Sequence, residues 1–136
     1  MNNLASINIS HAIACDDIRQ EVTVKYILIG VYSGNLGLPF FPAVTALGFW
    51  VLARPSQRGD YDVQLRVQDP DGKEVTGGHM IIRVQEVEET ALVIPPMPIS
   101  LERPGEIALQ YREGDGSWRT ICTLEARLVP PSPPTG

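Results

Sequence analysis

The chain has 136 residues, 43% of them apolar, and a formal net charge of -5. That length suits a single domain able to bury a core without disulfide staples. The acidic balance and the scatter of eleven Lys and Arg residues argue against a nucleic-acid partner, because a phosphate backbone is held by clustered cations.

The segment 1–14 has no Lys or Arg ahead of its apolar part, and Asn8, Ser10 and His11 interrupt the apolar run. A secretory signal needs a basic start and a continuous apolar middle. Ala12-Ile13-Ala14-Cys15 has the look of a lipoprotein cleavage box but lacks that basic start. No run reaches the length of a membrane-spanning helix. The expectation is a cytoplasmic chain with no membrane partner, its Cys15 and Cys122 both reduced.

Alternation then sets the fold. Ile7, Ile9, His11 and Ile13 share one parity and read as a first strand, which turns His11 toward the core. Asp16 to Glu21 reads as a charged turn with at most one short helical turn. Lys25 to Tyr32 is apolar on both parities and rich in β-branched and aromatic residues, which predicts a central, buried strand. Gly34-Asn35-Leu36-Gly37 reads as a loop; it lacks the Lys-Ser/Thr ending of a phosphate cradle. Pro39-Phe40-Phe41-Pro42 follows, its prolines limiting ladder pairing. Leu47 to Leu52 is a second run apolar on both sides. From Tyr61 to Gln68 the alternation is strict, with Tyr61, Val63, Leu65 and Val67 on the dry face.

Asp69-Pro70-Asp71-Gly72 is a turn: proline presets one φ and glycine supplies the left-handed exit. The next strand runs from near Lys73 to Val84, and Gly77-Gly78 predicts a bulge or bend that interrupts it. The acidic cluster Glu86, Glu88 and Glu89 reads as a solvated connection. Ala91 to Ile94 is a strand that Pro95-Pro96-Met97-Pro98 ends or forces to an edge. Ile107 to Arg112 and a last strand with Trp118, Thr120, Cys122, Leu124, Ala126 and Leu128 on one parity close the domain as a hairpin around Gly114-Asp115-Gly116. The sum is an all-β antiparallel sandwich of about eight strands. It forms a single domain over 1–129, with a Pro-rich tail over 130–136.

Cys15 to Glu21, then Lys25 to Tyr32, the Asp69–Gly72 turn and the Pro104-Gly105-Glu106 turn together resemble a family of uncharacterised bacterial and phage-associated domains of unknown function. That resemblance implies an immunoglobulin-like or related sandwich and a bacterial cytoplasmic setting. It brings no activity and no functional residues.

Catalysis finds little support. His11 and His79 stand apart from any nucleophile motif. Cys15 beside Asp16 and Asp17 makes a poor nucleophile, since neighbouring carboxylates raise a thiol's pKa. Asp16, Asp17 and Glu21 do not match calcium-loop spacing, and no paired Cys/His spacing suggests zinc. No enzyme activity, cofactor or metal is expected. The reading that remains is a protein-interaction or oligomerisation module. Its contact residues are expected at the proline-broken segments: Pro39, Phe40, Phe41 and Pro42, and Met97. Of the two adjacent phenylalanines, one should anchor the core and one face out. The alternatives are a small-ligand-binding or enzymatic domain with a pocket between sheets, and a structural protein of a phage or phage-like particle.

Overall fold

The structure, a computed structural model, describes residues 6–129. Its strands in chain order are β1 (Ile7–Gln20), β2 (Tyr26–Val31), β3 (Asn35–Leu38), β4 (Ala43–Pro55), β5 (Gly59–Gln68), β6 (Glu74–Val84), β7 (Thr90–Leu101), β8 (Gly105–Glu113) and β9 (Arg119–Leu128). They form a four-stranded sheet in the order β2-β1-β4-β7 and a five-stranded sheet in the order β3-β9-β8-β5-β6. The fold is the expected all-β sandwich, with nine strands among the described residues rather than about eight. One pair, β3–β9, is parallel. The strand β3 escaped notice because a Gly-rich segment has too few side chains to show alternation.

The core lies between the sheets. Ile7, Ile9, Leu47, Phe49, Val51 and Leu101 come from the four-stranded sheet; Val63, Val67, Ile107, Leu109 and Leu124 come from the five-stranded one. The strict alternation of β5 holds, with Tyr61, Val63, Leu65 and Val67 all buried. The main chain of β1 reaches across the layers: Ile7 N–H donates to the Glu113 carboxylate, and Ile9 N–H to the Tyr111 hydroxyl at 3.3 Å.

The Asp69–Gly72 turn forms as expected. Asp69 is buried, and its Oδ1 accepts from the N–H groups of Asp71 (2.9 Å) and Lys73 (2.8 Å). Gly72 takes the left-handed φ of +80°. The Pro104–Glu106 turn packs against it. A Cβ on Gly105 would lie 2.7 Å from Pro70 Cβ, so only glycine permits this approach. Arg103 donates to Asp71 across the same junction.

Several expectations need correction. Asp16 to Gln20 is not helical: β1 continues through it, pairing Asp17 with Ile29 and Arg19 with Ile27. The turn comes later, where Val24 N–H donates to Glu21 O at 2.9 Å. The Tyr26 to Tyr32 stretch is not central. β2 is the outermost strand of its sheet, and Ile27, Ile29 and Val31 are exposed. His11 does not face the core. The β1–β4 register shifts between Ile9 and His11, so the inward parity passes to Ala12 and Ala14, and His11 is exposed. Gly77-Gly78 makes no bulge; both pair regularly with Arg66 and Leu65. The last strand loses its single parity at a register shift beside Leu109, which sends Trp118 and Thr120 to the outer face.

The prolines at 95, 96 and 98 do not end β7. It runs through them as an edge strand. An edge strand tolerates prolines because only one of its two sides joins the ladder. A register shift between Leu47 and Phe49 accommodates them, and Gly48 leaves room for Pro96, whose N would be 3.3 Å from a Cβ there. Pro39 to Pro42 forms the link from β3 to β4, with a cis Phe41–Pro42 bond. The Pro-rich tail at 130–136 lies outside the described residues.

Candidate docking face and inter-sheet cleft

In an antiparallel pair, directly opposed residues point to the same face. Ile13 opposes Trp50, and Trp50 opposes Val93. The next row is His11, Leu52 and Ala91. Since Phe49, Val51 and Ala53 face the core, these rows lie on the outer face of the four-stranded sheet. Ile13, Trp50, Leu52 and Val93 are half-buried there beside one another. Exposed Ile27, Ile29 and Val31 extend the surface across β2, and exposed Val44 extends it along β4. The outcome is an apolar sheet face turned away from the core.

Its rim is polar. Arg19 pairs with Asp17 at 3.4 Å, and Arg54 with Glu89 at 2.8 Å, all with exposed side chains. His11 Nδ1 lies 2.9 Å from Ser10 Oγ. Cys15 is buried on this face, its Sγ 3.8 Å from Gly48 O. Burial raises its thiol pKa above the ordinary value, and Asp16 and Asp17 add to the rise. That is a resting thiol, not an activated one.

The five-stranded sheet turns a different surface outward. Asp62, Gln64, Arg66 and Gln68 alternate with the buried side of β5. Arg66 Nε donates to Gln110 Oε1 at 2.8 Å, and Arg112 Nε to Gln64 Oε1 at 2.7 Å. Both guanidinium groups approach the Trp118 ring, with carbons 4.0 and 4.6 Å from its centroid. His79 pairs with Asp62, both exposed. Arg66 and Arg112 are thus engaged by neighbours on their own sheet, and the face is polar.

The residues expected to make contacts are not brought together. Phe40 is 64% exposed, whereas Phe41 packs against the core, so the pair splits as adjacency requires. Pro39 to Pro42 sits beside the start of β4, where Ala43 opposes Leu101. Met97 lies further along β7, opposite Leu47, half-buried at a cleft on the flank where β6 and β7 face one another. Trp50, Ile13 and Val93 were missed as surface residues. The available signal was two runs, Lys25–Tyr32 and Leu47–Leu52, each apolar on both parities. That pattern fits an apolar outer face as well as deep burial.

Among the described residues, no group of three or more His, Cys, Asp or Glu side chains could hold a metal ion. No helix there is long and apolar enough to cross a membrane.

No curated protein matches the sequence. Among solved structures, a β-glucosidase from Erythrobacter marinus is similar at 15% identity and a TM-score of 0.48, over 90% of this chain. This chain spans only 16% of that enzyme's length. The profile of a family of unknown function, DUF6941, matches residues 10–125, and the chain belongs to that family.

Proposed function

We propose that the chain is a non-enzymatic protein-interaction module whose docking surface is the outer face of the four-stranded sheet. The partner is a second copy of the chain. The observation that carries this reading is the row Ile13–Trp50–Val93, apolar across three adjacent strands on the side away from the core. Large contiguous apolar patches with polar rims mark interaction surfaces. Tryptophan is the residue type most enriched among interface anchors.

Size and charge favour a second copy. Strands about 4.8 Å apart and rising about 3.4 Å per residue give a face of roughly 20 by 30 Å. With side-chain relief, that approaches the roughly 800 Å² per partner of a standard interface. The rim carries two opposite-charge pairs, Arg19 with Asp17 and Arg54 with Glu89. Copies docked face to face therefore meet no block of like charge. Lateral growth of the sheet is hindered at β7 by its prolines, whereas face packing needs no free edge.

The strand order supports an immunoglobulin-like reading of the sandwich. Taking β1, β4, β5, β6, β7, β8 and β9 as strands A, B, C, C′, E, F and G gives the orders A-B-E and G-F-C-C′, with β2 added beside A and β3 beside G. Both cysteines are free thiols, which suits the bacterial cytoplasm proposed as its setting.

Light scattering tests the proposal. The wild type elutes as a dimer at tens of micromolar, and Trp50→Glu elutes as a monomer with an unchanged β-sheet circular dichroism spectrum. A Trp50→Glu protein that remains dimeric contradicts the assignment of the face.

A further inference from the structure

Gly78 occupies an inward position. It opposes Leu65, which is buried, and its inward neighbours along β6 are Thr76, Met80 and Ile82. A Cβ built on Gly78 would meet no heavy atom within 4 Å. Its missing side chain therefore opens a notch between the sheets at the flank where the edge strands β6 and β7 face each other. The cleft there has a volume of about 170 Å³. Buried Leu65, Val67, Ile94 and Leu109 form its floor, and half-buried Met80 and Met97 line its mouth.

We propose that this cleft is a binding site for a small apolar ligand: a single aromatic ring or a short aliphatic chain. Three observations fix the class. The floor is aliphatic, so a polar ligand would lose hydrogen bonds to water without replacement. The volume matches a cavity of about 150 Å³, a size that stays dry and takes up benzene when its walls are apolar. The mouth carries paired methionines, whose unbranched thioether side chains reshape around varied apolar guests and favour contact with aromatic rings. Thr76 Oγ1, 3.8 Å from Met97 Sδ, holds one of them in place.

Gly77, the neighbouring residue, has the opposite constraint. A Cβ there would lie 3.1 Å from Leu65 O. Of the two glycines, Gly78 is thus the one whose side of the strand is open, and substitution there fills the site without backbone strain. The floor residues Leu65, Val67, Ile94 and Leu109 all face the core, away from Trp50, so Trp50→Glu leaves that floor in place.

The test uses the full chain labelled with ¹³C at the methionine methyls. Met80 and Met97 report on the cleft. Benzene, toluene and cyclohexane are titrated as probes. At least one produces saturable shifts at Met80 and Met97, and Gly78→Leu weakens that binding at least tenfold. If Gly78→Leu does not fold, Gly78→Val is used and weakens binding at least threefold. Absence of shifts with all three probes overturns the proposal. So do shifts that persist with unchanged affinity in the folded Gly78 variant.

Discussion

Trp50 of β4 lies directly across the ladder from Ile13 of β1, on the face of the four-stranded sheet turned away from the core. An indole at the centre of a solvent-facing sheet makes no contribution to the inter-sheet packing. Its neighbours Phe49 and Val51, one residue away on either side, make that contribution. The strand thus has two apolar faces, one packed in the core and one turned outward.

The two adjacent phenylalanines separate stability from surface. Phe41 packs against the core and Phe40 is 64% exposed. Phe41→Ser is expected to cost about 2–4 kcal/mol, as for other truncations of packed aromatics. Phe40→Ser should stay within about 0.5 kcal/mol. Urea denaturation of both variants checks this difference.

Asp69 nucleates its turn through one oxygen that accepts two backbone N–H groups. Asp69→Ala strands both donors and should cost about 1–3 kcal/mol. Asp69→Asn keeps an accepting oxygen and should recover more than half of that loss. Thermal melts of the two variants, measured side by side, distinguish them.

Gly30 takes a φ of +68°, and a Cβ there would collide with the Asp16 carboxylate. That carboxylate accepts the Tyr32 hydroxyl at 2.5 Å. Gly30→Ala is therefore both strained and crowded, and should destabilise by about 1–3 kcal/mol. Denaturant titration gives the value, and Tyr32→Phe identifies the part owed to the hydrogen bond.

Burial pushes the Cys122 thiol from 9.0 to about 11. The folded state thus favours the protonated thiol. Its contribution to stability is full below pH 9 and is lost as pH rises toward 11, because the unfolded chain ionises first. Stability of the wild type should fall across that window, and Cys122→Ala should flatten the fall. Tyr32, raised to about 12 first by burial and then by its bond to Asp16, adds a loss that begins about one unit higher. Denaturation at pH 8 to 11 supplies the comparison.

Much of the architecture was legible in the residues. The alternation of Tyr61 to Gln68, the Asp69–Gly72 turn and the edge placement of Pro95 to Pro98 needed only local rules. The misplaced elements share a cause. His11 and Trp118 were assigned by parity, and parity fails at a register shift that only the partner strand defines. The apolar outward residues of β2 mimic a central strand, because they are as apolar as its inward ones. Burial depends on neighbours that the strand's own sequence does not reveal. Met97 was singled out for its prolines, but it lines a cleft that exists because Gly78, on another sheet, has no side chain.

The proposed dimer joins two copies of the chain through the Ile13–Trp50–Val93 face. Sedimentation velocity of the wild type from about 1 to 200 µM tests it most directly, spanning the micromolar affinities common among standard-size interfaces. The account predicts a reversible, concentration-dependent shift from monomer to dimer that Trp50→Glu abolishes. A wild type that sediments as a monomer throughout that range would contradict it.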